Sequence, residues 1–268
     1  MTADTDFAAA HAEWFETRMS KLTAEDGWLN LLGRWWITPG TWTIGSGEGN
    51  DVVLPLGPQR VGTLTLTDGD SGRFVTSGGE EMPLDRAAGR FSWRTDRFAM
   101  EITSLNDLRA LRIRDIQSEN AARLAPIPFF DLDPALRITA RWEPLPKPIS
   151  LTLDTIIGVP TEVPVSHVAR FEFAGREMSM LPTYGTADRP QFVFRDLTSL
   201  DDTYAHMRFV FGEDVTEDGV VIDFNRATNP PCAFTSHAVC PLPPRENLFG
   251  VRIEAGEKRV RSGSDAGA

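Results

Sequence analysis

The sequence predicts a mainly β protein: an N-terminal amphipathic helix followed by two β-sandwich- or barrel-like units. Two observations predict it. Short β-rich or alternating runs recur roughly every eight to twelve residues along most of the chain, the rhythm of sandwiches and barrels. Only one stretch, Phe7 to Leu22, carries a stripe at helical spacing, with Phe7, Trp14, Phe15, Met19 and Leu22 on it. That helix occupies the expected segment 1–26, and its stripe is expected to dock on the first sandwich.

The first β unit is expected over 27–143. Trp28-Leu-Asn-Leu-Leu-Gly33 and Trp35-Trp36-Ile37 open it and stop at Thr38-Pro39-Gly40, a turn signal. Strand-like runs follow at Thr41–Ile44, Asp51–Leu54, Gly62–Leu66, Gly72–Thr76, Arg90–Trp93, Phe98–Ile102 and Leu108–Arg114. Ala135–Trp142 reads as one strand and runs into Pro144, Pro146 and Pro148. Proline offers a ladder no donor and stiffens a connection, so this stretch is the expected seam. The second unit, expected over 150–257, holds runs at Ser150–Leu153, Val168–Phe173, Glu177–Leu181, Gln191–Phe194, His206–Phe211 and Val220–Phe224. The tail 258–268 is charged, small and Gly/Ser-rich, the composition of a frayed terminus.

With 268 residues and 41% hydrophobic content the chain is long enough for a substantial core. Its formal charge of -11 repels phosphate backbones and anionic lipid at long range, so neither nucleic acid nor membrane is an expected partner. No run reaches the length of a membrane span, and Met1-Thr-Ala-Asp-Thr-Asp6 lacks a secretory signal's basic start and apolar core. A cytoplasmic protein is expected; its oligomeric state stays open.

Familiar catalytic signatures are missing. The four histidines, His11, His167, His206 and His237, have no zincin spacing, and neither a Gly-x-Ser-x-Gly elbow nor a dinucleotide fingerprint occurs. Gly45-Ser-Gly-Glu-Gly49 is followed by Asn50-Asp51 and a strand, so it reads as a hairpin turn and not as a phosphate cradle. Thr43-Ile-Gly45 with Asn50-Asp-Val-Val-Leu-Pro55 resembles the opening strands of a forkhead-associated sandwich, a phosphothreonine-reading fold. Ser46 stands where that family places an arginine, and its Ser-x-x-His is absent.

The densest chemistry lies near the C-terminus. Residues 223–247 contain both cysteines and five of the nineteen prolines, so this segment must be held by side chains more than by a ladder. Cys232, His237 and Cys240, with Asp223, form one possible zinc set; reduced thiols or a disulfide are the alternatives. Upstream, Arg195, Tyr204 and Arg208 flank a turn, and Asp223, Asn225, Arg226 and Asn229 follow. Converging guanidinium forks suit a carboxylate or phosphate. The alternative is an internal ion-pair network in which these arginines satisfy Asp196, Asp223 and Glu246.

These residues carry a family resemblance. Arg195-Asp-x-Thr198 with Thr203-Tyr204-x-x-x-Arg208, Asp223-Phe-Asn-Arg-Ala-x-Asn-Pro-Pro-Cys-Ala-Phe234, Cys240-Pro-Leu-Pro-Pro-x-Glu-Asn247 and Glu254-Ala-Gly-Glu257 resemble the bacterial and archaeal domain of unknown function 1684 family. The resemblance implies a β-rich, two-part architecture and no assigned activity. The resulting expectation is a binder of a small anionic molecule, held by Arg195, Tyr204, Arg208, Asp223, Asn225, Arg226 and Asn229. Were it an enzyme, Asp223 or Glu246 would be the general base. A protein-interaction module presenting the Gly45–Asn50 loop, or a flavin-binding split barrel, are the other readings. No cofactor is favoured, flavin and zinc being the alternatives.

Overall fold

A computed structural model describes residues 2–260; the expected tail lies, from residue 261 on, outside them. The chain divides into two compact units, Lys21–Arg123 and Met1–Ser20 with Leu124–Ala268. The α1 helix (Thr2–Leu22) thus groups with the C-terminal half and not with the first sandwich. Its partners explain why. His11 Nε2 lies 3.1 Å from the Asn225 carbonyl, Arg18 pairs with Glu257, and the rings of His11, Trp14 and Phe15 meet Phe129.

The unit of residues 21–123 is a sandwich of two sheets. In chain order its strands are β1 (Leu31–Ile37), β2 (Gly40–Gly45), β3 (Val52–Val53), β4 (Gly62–Leu66), β5 (Ser71–Thr76), β6 (Glu81–Asp85), β7 (Ser92–Arg94), β8 (Phe98–Leu105) and β9 (Leu108–Asp115). One sheet runs β1-β9-β8-β7 and the other β3-β2-β4-β5-β6. Alternation puts Ile44, Leu64, Phe74, Met100, Leu111 and Ile113 into a shared core, fully shielded from water. In β4, Gly62, Leu64 and Leu66 alternate inward with Thr63 and Thr65 outward, the pattern of a half-buried strand.

The other unit contains β10 (Arg137–Leu153), β11 (Thr161–Phe173), β12 (Arg176–Met180), β13 (Tyr184–Thr186), β14 (Arg189–Phe194), β15 (Arg208–Glu213) and β16 (Gly219–Asp223). They form one antiparallel sheet in the order β12-β11-β10-β16-β15-β14-β13. The proline stretch expected to be a seam lies inside β10. There the register jumps from Pro144↔His167 to Ile149↔Val165, so four residues of β10 oppose the single residue Ser166. A wide bulge accommodates prolines that lack a ladder donor, and the compact units part at 123/124 instead.

The two edge strands of this sheet, β12 and β13, are consecutive in the chain, joined only by Leu181-Pro182-Thr183. The sheet therefore curls back on itself without closing as a barrel. Asn247 ties this region together from a fully buried position. Its carbonyl accepts the Leu181 N–H at 2.8 Å, and its amide donates to the carbonyls of Leu181 at 2.9 Å and Val193 at 2.8 Å. Trp142, Phe171, Phe192, Phe194 and Phe224 fill the space the sheet encloses. Asn247→Ala leaves three backbone groups unsatisfied, so it is expected to cost about 3 kcal/mol in urea denaturation. A loss below 1 kcal/mol would show that the clamp is dispensable.

Candidate functional site

The expected anion pocket is occupied by the protein's own acids. Arg208 opens β15 and is 1% exposed. One terminal nitrogen donates to Asp196 Oδ1 at 3.1 Å and the Ile253 carbonyl at 2.9 Å, the other to the Ala255 carbonyl, and the guanidinium lies 5.0 Å from the Phe194 ring centre. Burial lowers its pKa against the pull of Asp196. Asp196 in turn accepts the Ile253 N–H at 2.6 Å and the Thr198 hydroxyl at 2.8 Å.

Asp223, also 1% exposed, spends Oδ1 on the backbone N–H and side-chain amide of Asn225, at 3.0 and 2.9 Å. Asn225 continues to the backbone of Asp133, while Arg226 grips both oxygens of Glu213 at 2.7 and 2.9 Å. Asn229 donates its backbone N–H and amide to Glu257, the carboxylate that Arg18 also holds. Arg195 is exposed and contributes its backbone to Asn247 and Phe249. Arg195, Arg208 and Arg226 thus have separate surroundings, and the internal ion-pair alternative describes the last two: Arg208 pairs with Asp196, and Arg226 lies 3.6 Å from Asp223 with Glu213 as a further partner. A general base is equally ill placed: Asp223 is sealed and committed as a cap, and Glu246 stands exposed on a surface turn. Sequence reasoning passed over Arg18 and Glu257, although Glu257 closes the Glu254-Ala-Gly-Glu257 motif.

The cysteine segment does not assemble the zinc set. Among the described residues no three His, Cys, Asp or Glu side chains gather closely enough to hold a metal. Cys232 and Cys240 are unbridged, the first half-buried and the second buried. The Gly45–Asn50 loop is likewise self-contained: the N–H groups of Ser46, Gly47 and Asn50 donate to the carbonyls of Pro58, Gln59 and Gly47. A side chain at position 45 would collide with the Gln59 carbonyl, 2.2 Å from a Cβ there. The loop has turned its donors inward.

Two features escaped the sequence reading. A cleft of about 410 Å³ lies beside β10, β11 and the β13–β14 hairpin. Trp142 and His167 stack at its wall, 5.0 Å apart and 9° from parallel, with Tyr184 and three prolines around them. The second is a cationic face on the β1-β9-β8-β7 sheet. Arg34 and Arg112 are direct cross-strand neighbours, and Glu101 sits opposite Arg112 on the next strand. Arg114 reaches Glu101 at 2.7 Å and Arg112 reaches it at 3.5 Å, both stacked near Trp28. Arg34 lies 4.7 Å over the Trp36 ring, and its Nε and Nη1 are buried without a hydrogen-bond partner. Burial and the Arg112 charge both depress the Arg34 pKa. The residues carrying this face were visible in Trp35-Trp36-Ile37 and Leu108–Arg114, but alternation alone does not reveal cross-strand partners.

Removing one partner of the sealed ion pair should be costly. Arg208→Met strands Asp196 and is expected to cost about 3–5 kcal/mol in chemical denaturation, and Arg208→Met with Asp196→Leu should recover a large part of it. A double variant no better than the single would remove the pair from the account of this segment.

No curated protein matches the chain. A solution NMR structure of an uncharacterized protein from Haloarcula marismortui is 25% identical over 52% of this chain and 80% of its own length, with a TM-score of 0.43. A family model described as a protein of unknown function (DUF1684) matches residues 122–258, the span that holds the Asp223-Phe-Asn-Arg226 and Cys240-Pro-Leu-Pro-Pro244 signatures. Since the match takes in slightly more than half of the sequence, the chain belongs to the DUF1684 family.

Proposed function

We propose that this protein binds a small anionic molecule on the Arg34–Arg112–Arg114 face of its sandwich unit, and that the family signature serves as scaffold. One observation carries the reading: Arg34 is a half-buried guanidinium whose Nε and Nη1 are shielded from water with no hydrogen-bond partner, directly opposite a second arginine. Like charges facing each other across a ladder are destabilising, and a buried donor without an acceptor costs about 1–3 kcal/mol. The chain has 38 acidic residues, yet none is hydrogen-bonded to Arg34 among the described residues. A carboxylate or phosphate placed there would satisfy the fork and relieve the repulsion together.

Neighbouring charges support a single leftover cation. Arg112 and Arg114 share Glu101, and Arg94 takes Glu25 and Asp26. A groove of about 420 Å³, lined by Arg114, Arg94, Asp26 and Glu101, opens farther along the same sheet, on the side away from Arg34. Trp36, 40% exposed, offers a flat surface beside the guanidinium. The overall charge of -11 disfavours long polyanions by repulsion at a distance, which argues for a compact ligand over a nucleic acid. No helix among the described residues is long and apolar enough to cross a membrane.

The reading makes two effects of one substitution run in opposite senses. Arg34→Leu should raise the stability of the unliganded protein, by about 1 kcal/mol, because it removes the unsatisfied donors and the like-charge pair. The same variant should lose the rise in Tm that inorganic phosphate or citrate gives the parent at matched ionic strength. Thermal denaturation in phosphate, citrate and chloride reads both. A destabilised Arg34→Leu protein that still responds to phosphate would place the anion elsewhere.

A further inference from the structure

The cleft beside β11 lies where a ladder stops short. β12 pairs with β11 from Phe173↔Arg176 to Ala169↔Met180, and there the pairing ends although both chains run on. The residues after Met180 have other partners. Asn247 takes the N–H and the carbonyl of Leu181, Pro182 has no N–H to give, and the Thr183 N–H donates to the Gln191 carbonyl at 2.8 Å. β13 then pairs with β14 alone and ends the sheet, while the 161–168 part of β11 keeps β10 on one side and no strand on the other. Continuing the register of Ala169↔Met180 would set His167 against Pro182, Ser166 against Thr183 and Glu162 against Ala187. All six line the cleft. The cleft is therefore a parted ladder with a strand edge on each wall, and such edges are templates for an added strand.

The chemistry of the walls narrows the occupant. Along β11, exposed Glu162, Pro164 and Ser166 alternate with buried Val163 and Val165, so a strand laid in the gap turns every second side chain inward and the others out beside Glu162. Glu162 accepts the Ser150 hydroxyl at 2.6 Å and the Thr152 hydroxyl as well. These hydrogen bonds hold its carboxyl below the usual range, so it is ionised at neutral pH. Its oxygens are met by hydroxyls and, among the described residues, by no arginine or lysine. The cleft lining contains no basic residue but His167 and no other acid, which leaves one fixed negative charge among aromatic rings, prolines and small side chains.

We propose that this cleft takes an extended peptide of alternating basic and apolar residues from a partner protein, added as a strand between β11 and β13. The peptide backbone supplies the hydrogen-bonding groups that neither edge finds in the fold. Its apolar side chains turn toward Val163 and the Trp142–His167 stack, and a basic one reaches Glu162. The walls run in opposite directions, so an inserted strand is antiparallel to one and parallel to the other. Pro164 removes a donor from β11, which assigns the antiparallel ladder to β13. From Glu162 to His167 the wall extends about 20 Å at ~3.4 Å per residue, the span of a five- or six-residue peptide.

The test titrates the full-length protein into a fluorescein-labelled, capped Lys-Val-Lys-Val-Lys peptide and reads fluorescence anisotropy. Saturable binding is expected. It should weaken at least about tenfold when alternate backbone nitrogens are methylated, because ladder donors are lost, and when glutamates replace the lysines. Glu162→Gln should weaken it about two- to fivefold, as befits an exposed charge. Ser166→Trp fills the cleft from an exposed position and should abolish binding with the circular dichroism spectrum unchanged; Ala187→Trp does the same from the opposite wall and serves if Ser166→Trp does not fold. Arg34→Leu should bind the peptide as the parent does, since the anion reading concerns the other unit. No saturable binding up to about 1 mM, equal binding of the methylated peptide, or full binding in both tryptophan variants would overturn the proposal. So would a sedimenting dimer of the parent that the tryptophan variants dissociate, since a second copy would then fill the gap.

Discussion

The guanidinium of Arg208 joins segments that no sheet connects. Beyond β16 the described chain has little ladder: it touches the rest of its unit through isolated bridges such as Arg195↔Leu248, Phe209↔Thr228 and Phe129↔Glu257. A segment of that kind needs other partners for its buried carbonyls and N–H groups. Arg208 takes the carbonyls of Ile253 and Ala255, while its counter-ion Asp196 takes the Ile253 N–H. The charge pair and the backbone are therefore one network. Glu257 with Asn229, and Asp223 with Asn225, repeat the arrangement on a smaller scale. Each charge is buried where a peptide group lacks a neighbour, which is how polar residues rigidify a chain that proline has deprived of donors.

Much of the architecture was legible from the sequence for simple reasons. Period-two alternation in Gly62–Leu66 and the β-rich run Phe98–Ile102 mark strands because one face of each meets a core. The apolar stripe from Phe7 to Leu22 marks the helix. Its docking partner was not legible, because an amphipathic stripe states that something is covered and says nothing of what covers it. The proline stretch failed for a related reason. Three alternate prolines look like a linker, yet a bulge lets the strand continue on both sides of them, and only the register of β11 reveals it.

The site was read less well than the fold. A cluster of arginines, carboxylates and amides looks the same in sequence whether it awaits a ligand or has satisfied itself. What distinguishes the cases is the geometry of each donor. Arg208 is sealed with both terminal nitrogens engaged; Arg34, which lies amid apolar residues in a strand, has two shielded nitrogens unmet and no acid beside it among the described residues. Chemistry-bearing residue types are thus a poor guide here, and unsatisfied ones a better guide. The signature of the family coincides with the self-satisfied cluster, which fits a motif whose task is to hold an irregular segment in place.

The pairing of α1 with the end of the chain bears on how the protein is made. Arg18 meets Glu257 across 239 positions, and His11 meets Asn225 across 214. During synthesis the helix precedes Phe129, which packs on Trp14 and Phe15, and Asn225 and Glu257 follow much later. In the interval the compact sandwich unit emerges whole, whereas the aromatic stripe stays without its destination. Contacts so remote form slowly, and exposed apolar surface on a nascent chain invites association. The contacts of His11 and Arg18 therefore wait on the chain that carries Asn225 and Glu257.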